Sequence, residues 1–197
     1  MMHIEFAGVD GSGKSTQAGL LAYALSSQCL VRERKETGLL DLLTRLALME
    51  SGDPIRAFGA DTFFLLRMME AHLDDERALR ARCDQDVVLI SPRSQLDRVA
   101  AALASGVKER TLVALKELAS AHCPAVGIFL AVDPDIALER IAARGGEPEP
   151  DREFFHAFAK HLGMLAKRNG YREVDASRDA DHVSLTVLGE VCSHGIS

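Results

Sequence analysis

The stretch GVDGSGKST, Gly8 to Thr16, restricts what this chain can fold into more than any other feature. Gly8, Gly13, Lys14 and Ser15 fit the pattern G-x-x-x-x-G-K-[ST] without a gap, and that pattern functions as a turn between a strand and a helix. Glycines at Gly8, Gly11 and Gly13 allow backbone N–H groups to turn inward around an anion. The N-terminus of the following helix adds more N–H groups and the positive end of its dipole. The flanks agree: the apolar run HIEFA precedes the loop, and Ala18, Leu21 and Leu25 follow at i, i+3 and i+7. Lys14 is expected to reach the terminal phosphates of a nucleoside triphosphate as a point charge. Ser15 is expected to ligate Mg²⁺, with Asp10, Ser12 and Thr16 completing the binding turn.

Beyond the loop, short apolar runs alternate with longer helical patterns, which implies a parallel α/β architecture. Strands are expected at 3–7, 29–32, 87–91, 126–132 and 171–174. VVLIS and VGIFLAV are nearly continuous apolar runs, as strands covered on both faces should be. Helices are expected at 14 to about 27, 62 to about 83, 108–122, 135–143, 151–167 and 181–192. Asp133 is a candidate N-cap, with Pro134 at the first helical position. The fold class implied is a three-layer P-loop NTPase fold, with a central parallel sheet of about five strands flanked by helices. No repeat or linker interrupts it, so residues 1–197 read as one domain. Its most loop-like stretch is RGGEPEPD, which suggests a lid around 142–152.

Composition narrows the partners. A net charge of −6 and a pI of about 5.6 argue against a protein that coats nucleic acid, which needs a basic face. No apolar run approaches the ~20 residues of a membrane span, and the first residues lack a secretory signal. The four cysteines form no C-x-x-C pair and read as small buried residues in a reducing compartment. The seven histidines form no ligand cluster. A cytoplasmic location is the expectation.

The inner letters GVDGSGKST resemble the loop of thymidylate kinases, where an acid commonly occupies the place of Asp10. Three further segments are similar to that family: LAVDPDIALERIAARG, the acidic-aromatic DREFFHAFAKHLGMLAKRNGYREVDAS, and DTFFLLRMMEAHLDDERALRA. The resemblance implies an ATP-dependent, Mg²⁺-requiring kinase of nucleotide biosynthesis, acting on dTMP and often homodimeric through helices packed face to face. Here those would be 62–83 and 108–122. It implies that Asp10 contacts the acceptor sugar, that the loop at Ser177 packs near adenine, that Phe63 stacks on the acceptor base and that Arg67 grips its monophosphate. Phe63 and Arg67 are four apart and share a helix face; the residues alone fit equally a core aromatic beside a surface arginine. Arg140 and Arg144 also share a face, and with Arg152 just past the loop they suit clamping of transferring phosphates.

Two departures from the family pattern stand out. Its third strand usually ends in Asp-Arg, the arginine contacting the acceptor phosphate and the acid helping hold the metal. This chain has SPR: Arg93 matches the arginine, whereas Pro92 offers no side-chain oxygen. Asp97 and Asp133 are substitutes if the fold brings them near. After the second strand the family's REPGG becomes RERKETG, where Arg32 or Arg34 is either the active-site arginine or a surface charge. The leading reading is a nucleoside monophosphate kinase with Lys14, Arg93 and Arg144 as its catalytic residues. Alternatives are a kinase of the same fold acting on a nucleoside or other small metabolite, and a nucleotide-binding protein with little catalysis.

Overall fold

The computed structural model describes residues 2–25, 29–31, 39–51, 53–80, 88–121, 123–145 and 151–194. Five parallel strands, β1 (Met2–Ala7), β2 (Cys29–Val31), β3 (Val88–Ser91), β4 (Val126–Ala131) and β5 (Arg172–Asp175), form one sheet in the order β2-β3-β1-β4-β5. The register sets Ile4 against Ile90 on one side and against Val126 on the other, so β1 is central. The chain fills one half of the sheet with β2 and β3, then crosses to the far side of β1 for β4 and β5. In open parallel sheets such a reversal leaves a crevice outside the carboxyl ends of the strands, which is where ligands bind. Gly8 to Gly13 lie at that end of β1.

Two apolar layers sandwich the sheet. On one face Ile4, Phe6, Ile90, Ile128 and Leu130 pack against Ala18 and Leu21 of α1 (Lys14–Ala24) and against Val183, Val187 and Val191 of α9 (Ala180–Cys192). The spacing of four along α9 turns a single stripe to the sheet. On the other face Ala7, Val9 and Phe129 meet α4 (Ala60–Arg80), α5 (Gln95–Ala104), α6 (Glu109–Ser120) and α8 (Arg152–Arg168). β4 shows why it reads as continuously apolar: Val126, Ile128 and Leu130 serve one layer, and Phe129 serves the other.

The five strands and six expected helices are present, with ends that differ by a few residues. α7 (Pro134–Arg144) begins as anticipated, with the Asp133 carboxylate accepting from Asp135 N and Pro134 at the first position. Three helices come in addition: α2 (Leu39–Ser51), α3 (Pro54–Phe58) and α5. The signal for α5 is a capping box in SQLD, where Ser94 Oγ accepts from Leu96 N and the Asp97 carboxylate accepts from Ser94 N. Arg32 and Arg34, and residues 146–150 of the expected lid, lie outside the described residues. No helix among the described residues is long and apolar enough to cross a membrane.

Candidate active site

The phosphate loop closes as its glycines require. Gly11 and Gly13 have φ of +83° and +92°, a region that side chains disfavour. A Cβ on Gly11 would also collide with the Ala137 carbonyl of α7. Gly13 is the N-cap of α1, so this helix starts on the loop itself and aims its N-terminus into the crevice. Lys14 is buried, and its ammonium donates to Gly8 O at 2.6 Å and Val9 O at 2.9 Å. Asp10 Oδ1 stands 3.7 Å from the same Nζ and is largely in solvent. The lysine is therefore held folded over the loop, ready to exchange carbonyl partners for phosphate oxygens.

A cavity of about 420 Å³ beside the loop gathers part of the sequence-derived set, whereas Gly8, Phe63, Arg67, Arg152 and Ser177 are not among its lining residues. Asp10, Gly11, Ser12, Gly13, Lys14, Ser15 and Thr16 line one end, and Arg93, Arg140 and Arg144 line its walls. Arg93 and Arg144 are exposed. Arg140 is half-buried and tied down: it donates to Ala176 O at 2.9 Å, to Ser177 O at 3.2 Å and to Gly11 O at 3.5 Å. This guanidinium joins the phosphate loop to the turn after β5, so it is a fixed wall. Arg152 stands apart from the cavity lining, in an ion pair with Asp135 at 3.0 Å. Ser177 supplies its carbonyl to Arg140, while its hydroxyl donates to Asp175 at 2.6 Å.

Further lining residues were not foreseen: Gln17, Ala176, Arg178, Ala180 and Val183. Gln17 follows the loop motif by one residue, and its place beside Ala18 on the buried face of α1 was readable from periodicity. Arg178 stands one residue past Ser177, and its placement depends on how the turn after β5 folds.

A buried polar network ties down the start of α5, just after Arg93. The Glu5 carboxylate of β1 accepts from Gln95 N at 3.0 Å and from Tyr171 Oη at 2.6 Å. Burial among acidic neighbours raises the Tyr171 hydroxyl well above its ordinary pKa, so it stays a donor. Gln95 in turn bonds Asp75 of α4, and Arg98 donates to Ser94 O and Gln95 Oε1 at 3.3 Å each. These contacts fix the first turn of α5, two residues past Arg93.

Pro92 puts no oxygen at the end of β3, as expected, but Asp97 does stand beside the loop. Its Oδ1 accepts from Gly8 N at 3.4 Å and its Oδ2 from Ser94 N at 3.3 Å. Burial pushes this carboxyl up to about 6, against the opposing pull of the Lys14 ammonium and the two N–H groups. Asp133 is engaged as the α7 cap. Phe63 packs in the core at 7% exposure, edge-on to Phe64 at 5.5 Å, with the half-buried Arg67 guanidinium 5.5 Å from its ring centre.

Comparison with known proteins agrees with this arrangement. The thymidylate kinase family profile matches residues 6–186. The thymidylate kinase of Ruegeria pomeroyi is 29% identical, over 98% of this chain and 95% of that protein. The probable thymidylate kinase of Pyrobaculum aerophilum is 28% identical, over 95% and 94%. Among solved structures, a deoxyadenosine kinase from M. mycoides superposes with a TM-score of 0.71 at 17% identity, over 98% of this chain and all of that one. The thymidylate kinase of Ehrlichia chaffeensis gives 0.70 at 20% identity, over 96% and 98%. At those identities the structures speak for the fold.

Proposed function

The chain belongs to the thymidylate kinase family, and on that premise we propose that it transfers the γ-phosphoryl group of ATP to dTMP, giving dTDP and ADP. The observation that carries this reading is the cavity whose lining holds Asp10 to Thr16 of the phosphate loop together with Arg93 and Arg144. The acceptor is itself a phosphate, largely ionised near neutral pH because its second pKa is about 6. No general base is then required; the task is to hold two anions together and to neutralise charge on the group in transit.

The chain's cations divide that work. Lys14 leaves Gly8 O and Val9 O for the terminal phosphates of ATP. Arg93, at the end of β3, meets the acceptor phosphate, and Arg144, at the end of α7, meets the transferring group. Arg140 braces the nucleotide side of the cavity, whereas Arg152 stays in its ion pair with Asp135 outside the cavity lining. Asp10 faces the acceptor sugar, while Phe63 and Arg67 receive its base and phosphate. One domain carries both substrates.

A Mg²⁺ ion fits the donors present. Ser15 offers an exposed hydroxyl at the start of α1, and Asp97 offers a carboxylate under the loop that can accept from the ion's waters. Mg²⁺ keeps several waters and takes few protein ligands when phosphates are present. When bound it neutralises charge on the β- and γ-phosphates. Asp97 thus supplies, from the first turn of α5, the carboxylate that Pro92 cannot.

The reading extends to assembly and location. Leu42, Leu46 and Met49 of α2 and Met69 and Leu73 of α4 are exposed apolar residues at helical spacing, and the two helices touch. They support a homodimer packed through these helices, in place of the 108–122 helix. Light scattering after size exclusion tests it: a mass near 43 kDa, twice the 21.4 kDa chain, is the expected result. Both nucleotides are cytoplasmic metabolites, and the protein is placed there with them.

A coupled ADP-release assay over a panel of nucleoside monophosphates and nucleosides tests the activity. Turnover is expected with dTMP in preference to the other acceptors. Turnover with a nucleoside and none with dTMP would contradict it.

A further inference from the structure

Arg93 stands between two buried serines. Ser91 closes β3 with its hydroxyl 2.9 Å from His3 Nε2, and Ser94 caps α5. Arg93 itself is exposed on the cavity wall, and among the described residues its guanidinium has no hydrogen bond or ion pair. Its place in the free protein is therefore set by the backbone that carries it, and what fixes Ser94 fixes Arg93.

Ser94 and Gln95 are pinned from several directions. Ser94 N donates to Asp97 at 3.3 Å, Ser94 O accepts from Arg98 at 3.3 Å, and Gln95 N donates to Glu5 at 3.0 Å. The other half of the sheet contributes as well: Tyr171, just before β5, places its Oη 3.3 Å from Ser94 Oγ. Counting protons gives that bond a direction. A tyrosine has one hydroxyl proton, and at 2.6 Å from a carboxylate oxygen the Tyr171 proton is committed to Glu5. Ser94 then donates to Tyr171, while its own oxygen accepts from Leu96 N at 2.9 Å. The result is a one-way chain from Leu96 N–H to Ser94, to Tyr171 and to Glu5, in which each bond polarises the next.

The ring of Tyr171 is held too. It lies across Gly127 of β4, where a Cβ would stand 2.7 to 2.8 Å from three ring carbons. Any larger residue there would push the ring off its place. Tyr171 does not line the cavity, so it acts on the reaction through the turn it holds.

We propose that Tyr171 is a positioning residue for the acceptor cation: its hydroxyl, set between Ser94 and Glu5, fixes the start of α5 and through it the place of Arg93 on the cavity wall. The proposal rests on the reading of Arg93 as the cation that meets the acceptor phosphate. A group displaced by about 1 Å loses much of what it contributes to a transfer, and loss of this hydroxyl frees the turn to shift.

Steady-state kinetics and ATP titration of Tyr171→Phe, Ser94→Ala, the double variant and Arg93→Ala test it on the full chain, well below each melting temperature. Tyr171→Phe should raise the KM for dTMP about tenfold and leave the Kd for ATP within about twofold of wild type. A merely structural role would lower Tm without that split. The double variant should fall well short of the product of the two single effects, because both substitutions cut one chain. An unchanged KM for dTMP in Tyr171→Phe, or an equal loss for both substrates, would overturn the inference, as would fully multiplicative effects in the double variant. Should Tyr171→Phe fail to fold, Ser94→Ala is read by the same split. If Arg93→Ala itself leaves the KM for dTMP unchanged, the acceptor reading of Arg93 falls and the inference with it; if Arg93→Ala raises it and Tyr171→Phe does not, the inference alone falls.

Discussion

The two ends of the active-site region are built on different principles. At the donor end, one contiguous stretch supplies the binding surface mainly through backbone N–H groups, and Gly13 starts α1 directly on it. In the part proposed to receive the acceptor, the side chains come from α4 and from the turn between β3 and α5, and much of the polar chemistry there is consumed internally. Glu5, Tyr171, Gln95, Asp75 and Arg98 are linked by hydrogen bonds at the start of α5. A phosphate looks the same in every nucleotide, so a backbone cradle serves it with little dependence on side chains. A base is distinguished by its edges, and reading it needs side chains brought together from separate elements.

The substitution expected to act most strongly tests the donor end. Lys14→Ala should lower kcat/KM for dTMP phosphorylation by about 10³-fold or more, because it removes a charge aimed at the transferring phosphates. Arg93→Ala should cost about 10²-fold, with Arg152→Ala as its control. Arg152 is exposed and paired with Asp135 outside the cavity lining, so its loss should change kcat/KM by less than about threefold. A large effect at Arg152 and a small one at Arg93 would invert the assignment of the cations.

Phe63 sharpens the acceptor end. It packs in the core with one edge on Phe64 and Arg67 over its face. Phe63→Leu should cost less than about 1.5 kcal/mol of stability and raise the KM for dTMP roughly five- to tenfold through lost stacking, leaving the KM for ATP unchanged. An unchanged KM for dTMP would confine Phe63 to the core.

Asp97 gives the smallest effect and has a definite pH dependence. Its carboxyl is raised from 3.8 to about 6, mainly by burial, so the folded chain keeps a proton that the unfolded chain releases. The cost to the fold is absent below about pH 4, grows to about pH 6 and is complete above it. Asp97→Asn removes that cost and can still accept from Ser94 N. Ligand-free Asp97→Asn should therefore be more stable than wild type at pH 8 by roughly 2 kcal/mol, or about 5 °C in Tm, with no advantage at pH 4. Thermal melts at the two pH values measure it. An equal gain at both would mean that the carboxylate charge is not the cause.

The same contrast explains what could be read from the sequence. The strand–loop–helix unit at Gly8 to Ser15, all five strands and the Asp133 cap were legible because each is written in consecutive residues. Arg93, Arg140 and Arg144 were legible as cations, but not their division of labour: only the fold shows Arg140 spent on Ala176 O and Ser177 O and Arg152 spent on Asp135. The two possible substitutes for the missing acid, Asp97 and Asp133, could not be separated until α5 placed Asp97 against Gly8 N.

Phosphoryl transfer is expected to proceed although β3 ends at Ser91 and Pro92, not an acid, precedes Arg93. Phosphorus NMR of the protein with ATP, Mg²⁺ and dTMP tests it most directly. The resonances of dTDP should grow in step with those of ADP and be absent in Lys14→Ala. ATP that binds but yields no diphosphate of the acceptor, under conditions where the wild-type chain is folded, would contradict it.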